Sequence, residues 1–329
     1  MVALATTMLV AKASTVHASS WRVNNDATKK AHFVDINAAM ASEEVHDGDT
    51  LYLDPGCSIT TTQTVTKQVF IIGTGWDNTY MLSSSLESLY LDIPNIKIEG
   101  VICKYFNIRA GNITIERCKF NDLRTANYGG VSNRSNVTIR QCFINKEGGS
   151  AIRGEGTTSE NTSNWVIENS IIYTYWIYEC ISNLLSPTLT NNIIINSTGD
   201  YVLKNMTNAH VTNNIIVGLS NASKAIETSC SGVFTNNVIS QDYLSEQNKT
   251  GYTLDQILTG DYESYQLTED SPAKGYATDG GDCGIFGGAY PYVAGGLPYG
   301  HPYYTRAVVG STAHDGKLNV SLKVKMQDE

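Results

Sequence analysis

The chain has 329 residues, of which 41% are hydrophobic and 17% charged, with a formal net charge of −9. Sparse charge without any basic run excludes a nucleic-acid groove, and no stretch approaches the ~20 apolar residues of a membrane-crossing helix. Such a length would ordinarily allow two domains, but a stacked repeat extends one core instead.

In chain order, Met1 to Ala18 has the apolar stretch and the small residues Val16 and Ala18 of a secretory signal without a basic start. An exported protein is expected, with a disordered leader as the alternative. Ala31 to His46 carries Phe33, Ile36, Ala39 or Met40, and Val45 near one helical face, which predicts an amphipathic helix. Asp47-Gly48-Asp49 then turns into the alternating strand Thr50 to Leu53.

From Asn95 to Ser240 one short pattern is written again and again. Copies begin at Asn95, Asn112, Asn136, Asn164, Pro187, Ala209 and, degenerately, Gly232, so the starts fall 17, 24, 28, 23, 22 and 23 residues apart. Each copy alternates apolar with polar residues, meets a polar pair, and begins a second β-branched run. That is strand, bend, strand, with no helix between copies. Such a period predicts a parallel β-helix rather than a helical or leucine-rich array.

Aligned copies put Arg117, Gln141, Asn169, Asn192, Asn214 and Asn237 at the bend, where asparagines tolerate left-handed backbone and can ladder through their amides. Directly after it come Cys118, Cys142, Ser170, Ile193, Ile215 and Val238, an expected interior column. Seven cysteines, an odd number without a CxxC spacing, read as buried thiols more readily than as disulfides.

An open solenoid end exposes unpaired edges, so helix 31–46 is expected to cap it. Beyond Ser240 the pattern dissolves, and Thr278 to Gly288 places Asp279 and Asp282 among glycines. Turn formation or calcium binding would each explain those aspartates. The segments Tyr303 to Val309 and Leu318 to Lys325 alternate around Asp315-Gly316, which predicts a hairpin tail.

The repeated bend, the capping helix with its first strand, Val69 to Gly75, and the segment 271–288 resemble the right-handed parallel β-helix superfamily of pectate lyases and related secreted polysaccharide-active proteins. The likeness covers roughly residues 20 to 300 and speaks to fold more than to activity. It implies an all-β, right-handed single-stranded solenoid over residues 19–300, with an N-terminal capping helix and a C-terminal hairpin at 301–329. A secreted bacterial monomer acting on an acidic polysaccharide is the expectation that follows.

In lyases of this kind a base removes the proton α to a uronate carboxylate while calcium or a basic side chain stabilises the charge that develops. Counting back from each repeat start gives one expected outward column: Asp92, Arg109, Asn133, Arg153, Ser182, Lys204 and Glu227. Arg153 and Lys204 are assigned the catalytic roles, with Arg109 beside them holding a carboxylate. Tyr128, Tyr173, Tyr175 and Trp176 would supply sugar-stacking rings, and Glu155, Glu179 and Glu227 could hold Ca2+ or merely pair with the basic groups. Neither the paired aspartates of polygalacturonase-type hydrolases nor the arginine motifs of the best-known pectate lyases occur. A non-catalytic glycan-binding or structural β-helix therefore stands beside the lyase reading.

Overall fold

The computed structural model describes residues 18–78, 81–125, 133–154, 160–176, 178–198, 201–219, 224–241, 246–261, 264–299, 303–314 and 317–325. The expected signal segment, apart from Ala18, lies outside them.

Nearly every strand pairs in parallel with the equivalent strand one repeat away, which is the topology of a parallel β-helix. One sheet of ten strands runs from Ser20–Val23 to Gly232–Thr235. A second sheet has fourteen strands. Its early members, Ser58–Val65, Ser85–Leu91, Ile102–Ile108 and Lys119–Thr125, are long and continuous. After Lys119–Thr125 it divides, because later coils insert a loop in mid-strand. Lys119 and Phe120 pair with Phe143 and Ile144, whereas Leu123 and Arg124 pair with Ile152 and Arg153. Two strips result: one continues through Phe143–Glu147, Ile171–Tyr175, Ile193–Asn196 and Ile215–Gly218, the other through Ile152–Arg153, Ile181–Leu185, Tyr201–Thr207 and Lys224–Ile226.

Alternation explains the interior. Ile98, Ile115, Ile139, Ile167, Leu189 and Val211 stack in register inside the first sheet, and all are fully buried. Rungs about 4.8 Å apart bring such side chains into van der Waals contact along the axis.

The cap is shorter than the sequence pattern suggests. Only Ile36–Ala41 is α-helical, and Phe33 instead bridges Val23 in extended backbone. Asp35 explains the late start, since its carboxylate accepts from the Ala38 N–H at 2.7 Å as an N-cap. The helix packs Ile36, Ala39 and Met40 into the core. Asn37 meanwhile guards the edge of Ser58–Val65, donating to the Thr62 carbonyl at 3.0 Å and accepting from the Thr64 N–H at 2.9 Å. An exposed sheet edge is thereby closed to further strand pairing.

The expected bend column is corrected by one residue in its second half. Left-handed backbone occurs at Arg117, Gln141, Asn169, Asn191, Asn213 and Asn236, so Asn192, Asn214 and Asn237 follow the bend and turn inward. There they continue the file of Cys118, Cys142 and Ser170. Asn214 Oδ1 accepts from the Asn192 N–H and from Asn192 Nδ2, both at 2.9 Å. Asn237 Oδ1 accepts from the Asn214 N–H at 2.9 Å, and Asn248 Oδ1 from the Asn237 N–H at 3.0 Å. The ladder expected at the bend is therefore a buried one just past it.

The left-handed residues have a different task. After Lys249–Thr250 the chain turns back along the outside of the solenoid as a strap, and each bend side chain ties it down in reverse order. Asn236 Nδ2 donates to the Tyr276 carbonyl at 2.9 Å, Asn213 Nδ2 to Thr278 Oγ1 at 3.0 Å, and Asn169 Nδ2 to the Gly287 carbonyl at 2.7 Å. Gln141 Nε2 donates to the Pro291 carbonyl at 2.5 Å and Arg117 Nη1 to the Leu297 carbonyl at 2.7 Å. The Arg117 guanidinium lies over the Tyr299 ring, 3.1 Å from its centroid.

This strap also corrects the expected interior column. Ile193, Ile215 and Val238 point outward with Phe143 and Ile171, and they are buried because Ile257, Leu258, Tyr265, Ala273, Cys283 and Ile285 cover them. Strands apolar on both faces, such as Ile193-Ile194-Ile195, are the sequence signature of a sheet covered twice. Asp279 and Asp282 serve turns in the strap, accepting from the Gly281 and Gly275 N–H groups at 2.9 Å each. All seven cysteines are buried free thiols. Tyr303–His314 and Lys317–Lys325 pair antiparallel as a separate two-stranded sheet, the expected hairpin. No helix among the described residues is long and apolar enough to cross a membrane.

Candidate functional site

With one strip covered by the strap, the other presents its outer face. Strand register fixes its central file. Leu123, Ile152, Ile181, Leu203 and Ile226 point into the core, and the next residue on each rung points out. The outward file is therefore Tyr90, Asn107, Arg124, Arg153, Ser182 and Lys204, continued by Glu227, whose N–H donates to the Leu203 carbonyl at 2.9 Å. Rung spacing puts Arg124 and Arg153 about 4.8 Å apart at their Cα atoms and Arg153 and Lys204 about 10 Å apart.

Four of the expected residues, Arg153, Ser182, Lys204 and Glu227, thus share one file. Arg109 does not. Its N–H donates to the Leu91 carbonyl, which sets it two positions farther along the coil. There its guanidinium pairs with Asp92 at 3.1 Å and lies 4.0 Å from the Tyr90 ring centroid. Asp92, Arg109 and Asn133 gather with Gly111 and Asn136 around a separate cavity of about 410 Å3 at the turn into the first sheet. Loop lengths that vary between repeats merged the two groups in the sequence alignment. Arg124 was missed for the same reason, although Leu123-Arg124 repeats the inward-outward pair Ile152-Arg153.

Around Lys204 the file is polar and partly enclosed. Glu179, on the loop before Ile181–Leu185, accepts from Ser150 Oγ at 3.1 Å. Burial alone would raise its pKa, but its own backbone N–H, the Ser182 hydroxyl, the Lys204 ammonium and the Ser150 hydroxyl prevail and hold it below the ordinary carboxylate value. The Ser182 hydroxyl is fully buried and makes no hydrogen bond of good geometry. Glu227 Oε2 accepts from the Asn205 N–H at 3.1 Å and from Ser229 Oγ at 2.5 Å. Asn205 Nδ2 donates to Asn183 Oδ1 at 2.7 Å, and Asn183 Nδ2 to the Gly154 carbonyl at 3.3 Å, so a second amide ladder stiffens this strip.

The aromatic residues divide between two surfaces. Tyr175 and Trp176, 50% and 53% exposed, pack edge to face with ring centroids 6.4 Å apart. Trp176 holds a φ of 97°, a costly backbone for a bulky residue, and its N–H donates to Thr198 Oγ1 at 2.9 Å. Tyr178, 46% exposed, belongs to the same loop and was not singled out by the sequence pattern. Tyr173 instead packs half-buried against the strap cluster. Tyr128 and Glu155 lie outside the described residues. Among those described, no group of three His, Cys, Asp or Glu side chains is placed to hold a metal ion. Glu179 and Glu227 spend carboxylate oxygens on hydroxyl and amide donors.

The strip can offer a row of cations on a rigid sheet, with exposed rings on the loop that leads into its strand Ile181–Leu185. No protein-family model matches this chain, and no curated protein matches it.

Proposed function

We propose that this is an exported carbohydrate-active β-helix protein that binds an extended acidic glycan along the file through Arg124, Arg153 and Lys204. The observation that carries this reading is the in-register basic file, with the exposed Tyr175, Trp176 and Tyr178 at the loop that leads into its strand Ile181–Leu185, on a protein whose net charge is −9. Local cations on an acidic protein favour an anionic ligand and disfavour a cationic one. Parallel rungs repeat at about 4.8 Å, comparable with the length of one sugar unit. A rigid sheet fixes the backbone positions of such a row, so that only the long side chains lose freedom on binding.

Binding without cleavage fits the file better than elimination. A lyase needs base and cation at one reacting centre, whereas Arg153 and Lys204 stand two rungs apart. Arginine stays protonated and serves as cation only, so Lys204 is the one candidate base of the pair. Elimination keeps a place because the Arg153 and Lys204 side chains are long and lie on one face.

Titration of the purified protein with pectin, alginate and glycosaminoglycan chains tests both readings, with ultraviolet absorbance followed for unsaturated uronate. Binding that weakens about tenfold in Arg153→Ala or Arg124→Ala, without absorbance change, supports a binding module. A rise in absorbance lost in Lys204→Ala would establish a lyase. Absence of binding to every polymer would remove the carbohydrate reading.

A further inference from the structure

Between the strap and the strand Ile171–Tyr175 lies a cavity of about 290 Å3. Ile171 and Ile285 line it with the rings of Tyr265, Phe286 and Tyr292, while Ser264 and Gln266 are exposed. Its size is at the lower end of small-molecule sites, enough for a single ring rather than an extended chain. Aromatic walls with polar groups nearby suit a pyranose, which offers apolar C–H faces and a hydroxylated edge. A fatty chain would leave the polar groups unused.

Position supports the same occupant. Residues 171, 173 and 175 lie on one face of their strand, so the cavity floor at Ile171 is about 13 Å from Tyr175 along the backbone. Tyr173 lies between them, packed against the buried cluster that contains Tyr265. An aromatic path therefore leads from Phe286, Tyr292 and Tyr265 through Tyr173 to the exposed Tyr175 and Trp176.

We infer that this cavity is a second carbohydrate site, seating one pyranose ring, the terminal unit of a glycan that crosses the strip over Tyr173, Tyr175 and Trp176. The inference rests on the carbohydrate-binding reading proposed above and adds a site formed with the strap, outside the basic file.

Saturation-transfer NMR on the full chain tests it, with methyl glycosides of glucose, galactose, mannose, N-acetylglucosamine, glucuronic acid and galacturonic acid as probes. Ala294→Phe fills the cavity, and Ser264→Trp, at an exposed position, narrows it even if the first variant fails to fold. The expected result is transfer to one glycoside, weakened about tenfold or more in both variants. Equal transfer to wild type and Ser264→Trp would place the ring elsewhere and overturn the inference while leaving the carbohydrate reading intact. Binding of a polymer without any of the six glycosides would do the same. Failure of both glycosides and polymers would remove the inference and the reading together.

Discussion

Replacing Asn214 with alanine tests the buried ladder directly. Asn214 is fully buried, and its Nδ2 donates to the Leu189 and Thr212 carbonyls at 2.8 Å each and to Asn237 Oδ1 at 3.0 Å. Its Oδ1 accepts from the Asn192 N–H and Nδ2. In Asn214→Ala, the Asn192 N–H loses this acceptor and the Leu189 carbonyl this donor, inside a core closed to water. At about 1 to 3 kcal/mol for each orphaned buried group, the loss is about 4 kcal/mol. Unfolding entropy scales with chain length, so a chain of this size would melt about 6 °C lower. Asn213→Gly is the matched control. Asn213 holds a φ of 60°, which glycine adopts freely, and it forfeits only the strap contact to Thr278, for about 1 kcal/mol. Urea unfolding followed by circular dichroism, with amide exchange at Asn192, measures both. An Asn214→Ala protein within about 1 kcal/mol of wild type, or one more stable than Asn213→Gly, would refute the assignment of these two asparagines to different columns.

Ile285, buried at 3% exposure in the strap cluster, should tolerate no charge. Ile285→Asp is expected to release the strap locally and increase binding of an apolar dye, with the solenoid's circular dichroism retained. Native protein should leave all seven thiols unreactive towards a thiol reagent, and denatured protein should expose all seven. Burial pushes the Cys142 and Cys180 thiols from 9.0 up to about 12, and Cys230 to about 11. Below pH 9 neither state ionises and this contribution is complete. As pH rises from there towards 12, the unfolded chain releases protons first and urea midpoints should fall. Glu179 has the opposite sign: its lowered pKa adds stability above the ordinary carboxylate range, lost as pH falls through the folded value. Lys204→Met should raise the Glu179 pKa in an NMR titration, and an unchanged value would show that the ammonium does not act on it.

The amino-acid sequence by itself determined the solenoid. Alternation at Ile98, Ile115 and Ile139 sets inward and outward faces locally, and near-regular repeat starts require equivalent strands to stack. The asparagine runs announced bends, but a dipeptide such as Asn213-Asn214 does not say which residue turns the chain and which enters the core. Only the stacked structure decided that, because the inward position follows from register with Ser170 and Cys142. Register likewise moved Arg109 out of the basic file and brought Arg124 into it, since loops of unequal length hide which residues share a column. The strap was the least legible feature. Ile193 and Ile215 look like interior residues whether a core or a returning segment buries them, and no local pattern in residues 254–299 states where that segment lies. Contacts more than a hundred residues apart, such as Asn169 with Gly287, settle its place, and with it which face of the β-helix remains open.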